Sequence, residues 1–218
     1  MADDSQNPFF SPSPLPYQLP PFADIRDEHY QPAFERGMEE QLTEVQAITS
    51  RDEPPTFDNT MLPLERSGQV LSRVSEFYFN KSSSDSTPFT KRLDEELAPV
   101  LAAHRDAVRL DPALYARIAA LYESRSTLGL DEESVYLIER YYTEFTLAGA
   151  GLPEEDKAAL REYNRQLSTL TTRFENNLLA DTNDLAVVID DVNELDGLST
   201  GEISAAAAAA VPGPPTQP

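Results

Sequence analysis

Apolar residues return every three or four positions from one end of this chain almost to the other, and that spacing commits it to helices. Phe34, Met38, Leu42, Val45 and Ile48 form the first such stripe, with Glu35, Glu39, Glu40 and Glu44 between them. Leu64, Val70, Leu71, Val74, Phe77 and Tyr78 form the second, and Phe89, Leu93, Leu97, Val100, Leu101 and Val108 the third. Leu114, Ile118 and Leu121 follow, then Val135, Ile138, Tyr142 and Phe145, then Leu160, Tyr163, Leu167, Leu170, Phe174 and Leu178, running to about Ala180. The expected fold class is all-α, an antiparallel helical array of amphipathic helices joined by short capped turns.

Local chemistry sets the expected boundaries. Asn59 or Thr60 can cap the second helix with Pro63 in its first turn, and Thr87-Pro88 and Asp111-Pro112 each pair a cap with a tolerated proline. Asp131, followed by Glu132 and Glu133, places carboxylates where helix N–H groups lack partners, and Glu154, Glu155 and Asp156 do the same after Pro153. Pro99 should kink the third helix or split it at Ala98, because its ring removes an internal hydrogen bond. Residues 81–87 read as a polar, Ser-rich turn, and 148–151, Ala-Gly-Ala-Gly, as a break.

Three regions follow. Residues 1–24 form a lead rich in Pro and aromatics, extended and expected to pack on its own domain, since Phe9, Phe10, Tyr17 and Phe22 need burial. Residues 25–204 are the helical region. Within it only 185–189 reads as a short strand-like segment, through Val187-Val188-Ile189, and Ser199 with Glu202 signals a capping box. The helix so announced is not expected to develop. Residues 205–218 are an Ala run and a Pro-rich tail expected to be disordered, so the ending reads as an interruption.

The 38 acidic residues against 17 basic ones give a net charge of −21, which repels phosphate backbones and anionic bilayers. Neither nucleic acid nor membrane is an expected partner. The absence of Cys excludes thiolate nucleophiles and Cys-ligated metals, and the acidic, polar start lacks the pattern of a secretory signal, so a cytoplasmic protein is expected.

Hydrolytic chemistry finds little to work with. A metalloprotease helix needs two imidazoles one turn apart with a carboxylate between them, whereas the two histidines, His29 and His104, lie in unrelated segments. They read as structural or surface residues. Ser82, Ser83 and Ser84 lack a G-x-S-x-G elbow. The pairs Glu39-Glu40, Glu95-Glu96 and Glu154-Glu155 diverge around a helix and read as solvated faces. No catalytic, cofactor-binding or metal residue is assigned.

Five blocks carry a resemblance: LPPFADIRDEHYQPAFERGM (19–38), PPTFDNTMLPLERSGQVLSRV (54–74), LDEELAPVLAAHRDAVRLDPALYARI (93–118), STLGLDEES (126–134) and LAGAGLPEEDKAALREYNRQLSTLTTRFENNLL (147–179). In order and spacing they resemble the opening of peptidyl-dipeptidases (dipeptidyl carboxypeptidases), within the thimet-oligopeptidase-like zinc metallopeptidase family. The match runs over roughly residues 7–204. The resemblance implies the N-terminal lobe portion of a two-lobed helical enzyme around a deep channel, with zinc held by an H-E-x-x-H helix and a downstream Glu. It implies short unstructured peptides as substrates and release of dipeptides from their C-termini. None of those zinc or catalytic residues has a counterpart in this chain, so no cofactor is expected in it and no activity from it alone. Pro63 stands where the family pattern favours a helix former, and the match dissolves at about Val211. Two functions are therefore expected to compete: a non-catalytic peptidase fragment whose partner is the missing catalytic lobe, and a free-standing acidic helical module that binds proteins or peptides.

Overall fold

The computed structural model describes residues 7–185 and 187–210. Two compact units divide the chain, residues 1–174 and 175–218.

In the first unit, helix α1 (Asp27–Thr49) is the common wall of two hydrophobic clusters. Its N-terminal half contributes Tyr30, Ala33 and Phe34 to a cluster with Phe9 of the lead, Val74 and Tyr78 of α3 (Gln69–Ser84), and Leu93 and Leu97 of α4 (Pro88–Arg109). Its C-terminal half contributes Val45 and Ile48 to a second cluster. There they meet Met61, Leu64 of α2 (Leu62–Glu65), Val108 of α4, Leu114, Ile118 and Leu121 of α5 (Pro112–Ser124), and Ile138 and Phe145 of α6 (Glu132–Ala148). One helix joins both cores because its apolar stripe runs its full length, as the periodicity requires.

The all-α expectation holds, and several caps form as read from the sequence. Thr87 Oγ1 accepts from the Thr90 N–H at 3.2 Å, and carboxylates of Asp111 and Asp131 accept from Leu114 and Ser134 at 2.7 Å each. α7 (Glu154–Asp184) begins behind Pro153 on three acidic residues. The lead does pack: Phe9 is buried edge-on to Phe77, though Tyr17 and Phe22 remain exposed.

Other expectations are corrected. The cap before α2 is Thr56, whose side chain accepts from the Asn59 N–H while Asn59 Oδ1 accepts from the Thr56 N–H, so 57–61 coils as a π-helical turn. α4 does not split at Ala98. It is anchored on both sides of Pro99, by Leu93 and Leu97 in one cluster and Val108 in the other, and this packing outweighs one lost hydrogen bond. α3 continues through the Ser-rich segment to Ser84, where Ser83 and Ser84 hydroxyls donate back to the Phe79 and Asn80 carbonyls.

Gly37 and Gly149 have positional reasons. A Cβ on Gly37 would stand 2.7 Å from the Leu71 backbone nitrogen, so its absence lets α1 and α3 approach closely. Gly149 ends α6 in the left-handed region at φ 96°, with the Ala150 N–H returning to the Phe145 carbonyl at 2.9 Å.

The second unit corrects two readings. Among the described residues of 185–189 there is no strand: Val187 and Val188 are exposed, and a strand without a ladder has nothing to satisfy its backbone. The helix announced by Ser199 and Glu202 does develop, as α8 (Thr200–Ala209), with both arms of the capping box made. Its alanines are the best helix formers available, and the capping box satisfies N–H groups of its first turn. The Pro-rich tail, 211–218, lies outside the described residues.

Candidate functional site

Each histidine has a local structural task. His29 sits in the first turn of α1, where Nδ1 accepts from the Arg26 N–H at 3.0 Å, and its own carbonyl accepts from Asn7 Nδ2 at 2.9 Å. His104, buried on α4, places Nε2 at 2.6 Å from Gln41 Oε1 of α1, and its Nδ1 is buried with no hydrogen-bond partner among the described residues. Desolvation lowers the His104 pKa, because a charged ring there would give up water without gaining a carboxylate.

Among the described residues, no group of three or more His, Cys, Asp or Glu side chains gathers to hold a metal, and the sequence contains no H-E-x-x-H. The donor set of the zinc site implied by the resemblance therefore does not fit this chain. Glu39-Glu40 and Glu95-Glu96 lie on α1 and α4; Glu40 pairs with Arg36. Glu154 accepts from buried Lys157 at 3.2 Å.

The most elaborate polar centre is one that the sequence reading did not single out. Arg117 on α5 is buried, and its guanidinium donates to Thr60 Oγ1, Asn59 Oδ1 and the backbone carbonyls of Arg51 and Glu53, at 2.9 to 3.2 Å. It ties the proline-containing loop after α1 to α5. The available signal was position: Arg117 falls in the inward stripe between Leu114, Ile118 and Leu121, where a charge must find acceptors.

A cavity of about 270 Å³ lies beneath the lead, lined by Phe9, Ile25, Arg73, Glu76 and Phe77 among others. Arg73 donates to the Phe9 carbonyl on its rim, so the guanidinium is occupied in holding the lead. At that size it is below the range of ordinary ligand sites.

α7 carries a row of exposed apolar side chains. Tyr163, Leu167, Leu170 and Phe174 are 64, 63, 61 and 67% exposed, while the half-covered positions of the same stretch include Asn164, Ser168 and Thr172. Asn164 Nδ2 donates to Asp106 Oδ1 at 2.8 Å. The helix thus turns a polar row to the body and its apolar row to solvent, the reverse of the usual arrangement.

No family model matches the chain. The chain is a homologue of the dipeptidyl carboxypeptidases, with oligopeptidase A of the thimet-oligopeptidase family further away. It is 42% identical over 206 residues to dipeptidyl carboxypeptidase of Salmonella typhimurium, covering 94% of this chain and 30% of that protein. Identity is 40% over 206 residues to dipeptidyl carboxypeptidase of Escherichia coli, with the same coverage. It is 26% over 200 residues to Escherichia coli oligopeptidase A, covering 92% of this chain and 29% of that protein. The chain thus spans about 30% of the length of the curated relatives it matches.

Proposed function

We propose that this chain is the N-terminal, non-catalytic part of a zinc-dependent peptidyl-dipeptidase. In that role it contributes one wall of the channel that admits short unstructured peptides, from which the intact enzyme releases C-terminal dipeptides. The carrying observation is 42% identity to a dipeptidyl carboxypeptidase sustained over 94% of the chain. In this reading zinc and the hydrolytic residues are supplied by polypeptide outside this chain, whose sequence contains no H-E-x-x-H. The cytoplasm is the proposed compartment. Among the described residues no helix is long and apolar enough to cross a membrane, and the absence of Cys suits a reducing environment.

The test is reconstitution. Purified chain is expected to bind no stoichiometric zinc and to leave a short peptide intact. Co-expression with a polypeptide matching the remaining length of the relatives is expected to give dipeptide release that a chelator abolishes. Stoichiometric zinc together with turnover by the chain alone overturns the reading.

The exposed face of α7 favours a second reading, a free-standing acidic helical module that binds proteins or peptides. It predicts a specific partner at micromolar affinity, lost on deleting residues 1–24; recovery of chaperones alone counts against it.

A further inference from the structure

Along the seam between α5 and α6, tyrosine rings lie flat against one another. Tyr122 of α5 and Tyr142 of α6 are parallel to within 8°, with ring centroids 3.9 Å apart, closer than most packed aromatic pairs. Tyr115 lies beside Tyr142, at 5.9 Å and 12°. Arg125, just past the end of α5, holds its guanidinium carbon 4.0 Å from the Tyr122 ring centre. Tyr142 and Arg125 stand at nearly the same short distance from that centre, so they occupy opposite faces of the ring. The guanidinium is fixed there, donating to Glu139 Oε1 at 2.7 Å and to the Tyr122 carbonyl at 2.6 Å.

This packing bears on oxidation chemistry. The chain contains neither Cys nor Trp, so an electron vacancy reaching it does not drain to a thiol or an indole of this chain and settles on a phenol. A tyrosyl radical at Tyr122 has one face closed by Arg125 and the other by Tyr142, which leaves the Tyr142 ring as its partner for coupling. Other tyrosine contacts are less suited. Tyr30 and Tyr78 cross at 65° with centroids 5.1 Å apart and are buried in the core, whereas Tyr122 and Tyr142 are half-buried and reachable from solvent. The Tyr141 phenol is engaged by Glu65.

We propose that Tyr122 and Tyr142 form an oxidative modification site, coupling under a one-electron oxidant to a dityrosine that ties α5 to α6. The oxidant takes one electron from each ring, and each phenol releases its proton to water. The two phenoxyl radicals pair their electrons in a carbon–carbon bond between ring positions ortho to the oxygens. Each bonded carbon then loses its hydrogen as a proton while its oxygen takes one up, which restores both aromatic rings. In sum the chain loses two protons and two electrons, and two equivalents of oxidant are reduced. The proposal does not rest on the peptidase reading.

The experiment uses the full chain, dilute enough that copies seldom meet, with photoexcited ruthenium tris-bipyridine and persulfate as the one-electron oxidant. Dityrosine emission is expected in a product of single-chain mass. Trypsin should release a cross-linked pair joining residues 118–125 to 141–157, because cleavage after Arg117 leaves Tyr115 on a separate peptide. Tyr122→Phe and Tyr142→Phe, which keep the rings, should each abolish that pair, whereas Tyr115→Phe and Tyr17→Phe should leave it. Chain unfolded in urea should lose the preference for this pair. The cross-linked chain should also unfold at higher urea, since the new bond closes a loop in the unfolded state. Cross-links found only between chains, a single-chain product that survives either Tyr122→Phe or Tyr142→Phe, or a bond mapped to Tyr115 or Tyr141 overturns the proposal. So does oxidation that consumes tyrosine without forming dityrosine.

Discussion

At Arg117 a buried guanidinium donates four hydrogen bonds to neutral acceptors. Arg117→Met removes the donors while keeping much of the volume, taking a donor from the Arg51 and Glu53 carbonyls and from Thr60 Oγ1, while Asn59 Oδ1 keeps the Thr56 N–H. The expected loss is about 2–4 kcal/mol in urea unfolding. His104 gives a pH dependence whose sign follows from burial. The folded state holds its pKa below the ordinary value, so the unfolded chain binds the proton more readily. The neutral ring's contribution is fully present above the ordinary histidine pKa of about 6.5 and is lost as pH falls from there toward the folded pKa. Urea midpoints measured from pH 7.5 down to pH 5 should fall, and His104→Gln should flatten that part of the slope. Sequence reading placed both histidines as structural or surface residues, but their tasks depend on Arg26 and Gln41, and Gln41 is 63 residues away from His104.

Among the elements, α1 and α3 show how little space separates helices that share a core. Gly37→Ala would drive a methyl to within 2.7 Å of the Leu71 backbone nitrogen, which no rotamer change can relieve. The two helices must part, and the expected cost is about 1–3 kcal/mol, visible as a lowered thermal midpoint without loss of overall fold. Helix positions and most caps were legible because they are local: Thr87, Asp111 and Asp131 bond to N–H groups three residues ahead. The π-helical turn at 57–61 was not legible. Its start depends on Thr56 and Asn59 satisfying each other, and Asn59 also receives Arg117 from α5. The same limit applies to α4, where continuity through Pro99 depends on two separate clusters holding its halves.

For the whole molecule, charge is the dominant uncommitted term. At −21 the folded chain repels itself more than the expanded chain does, so raising sodium chloride from ~10 mM to ~200 mM should raise the thermal midpoint. A midpoint that does not move, or falls, would mean that ion pairs such as Arg125–Glu139 and Lys81–Asp27 outweigh the net repulsion. The all-α class, the helical register, the acidic surface and the lack of a zinc-binding motif were all determined by residue order alone, because each depends on neighbours within a turn or two, or on composition. Which stripes become core was decided only by tertiary structure. Leu114 and Leu121 on α5 are buried, whereas Leu167 and Leu170, in a stripe of equally helical period, face water. Periodicity tells a helix which side is apolar, but whether that side is covered depends on what else is folded against it.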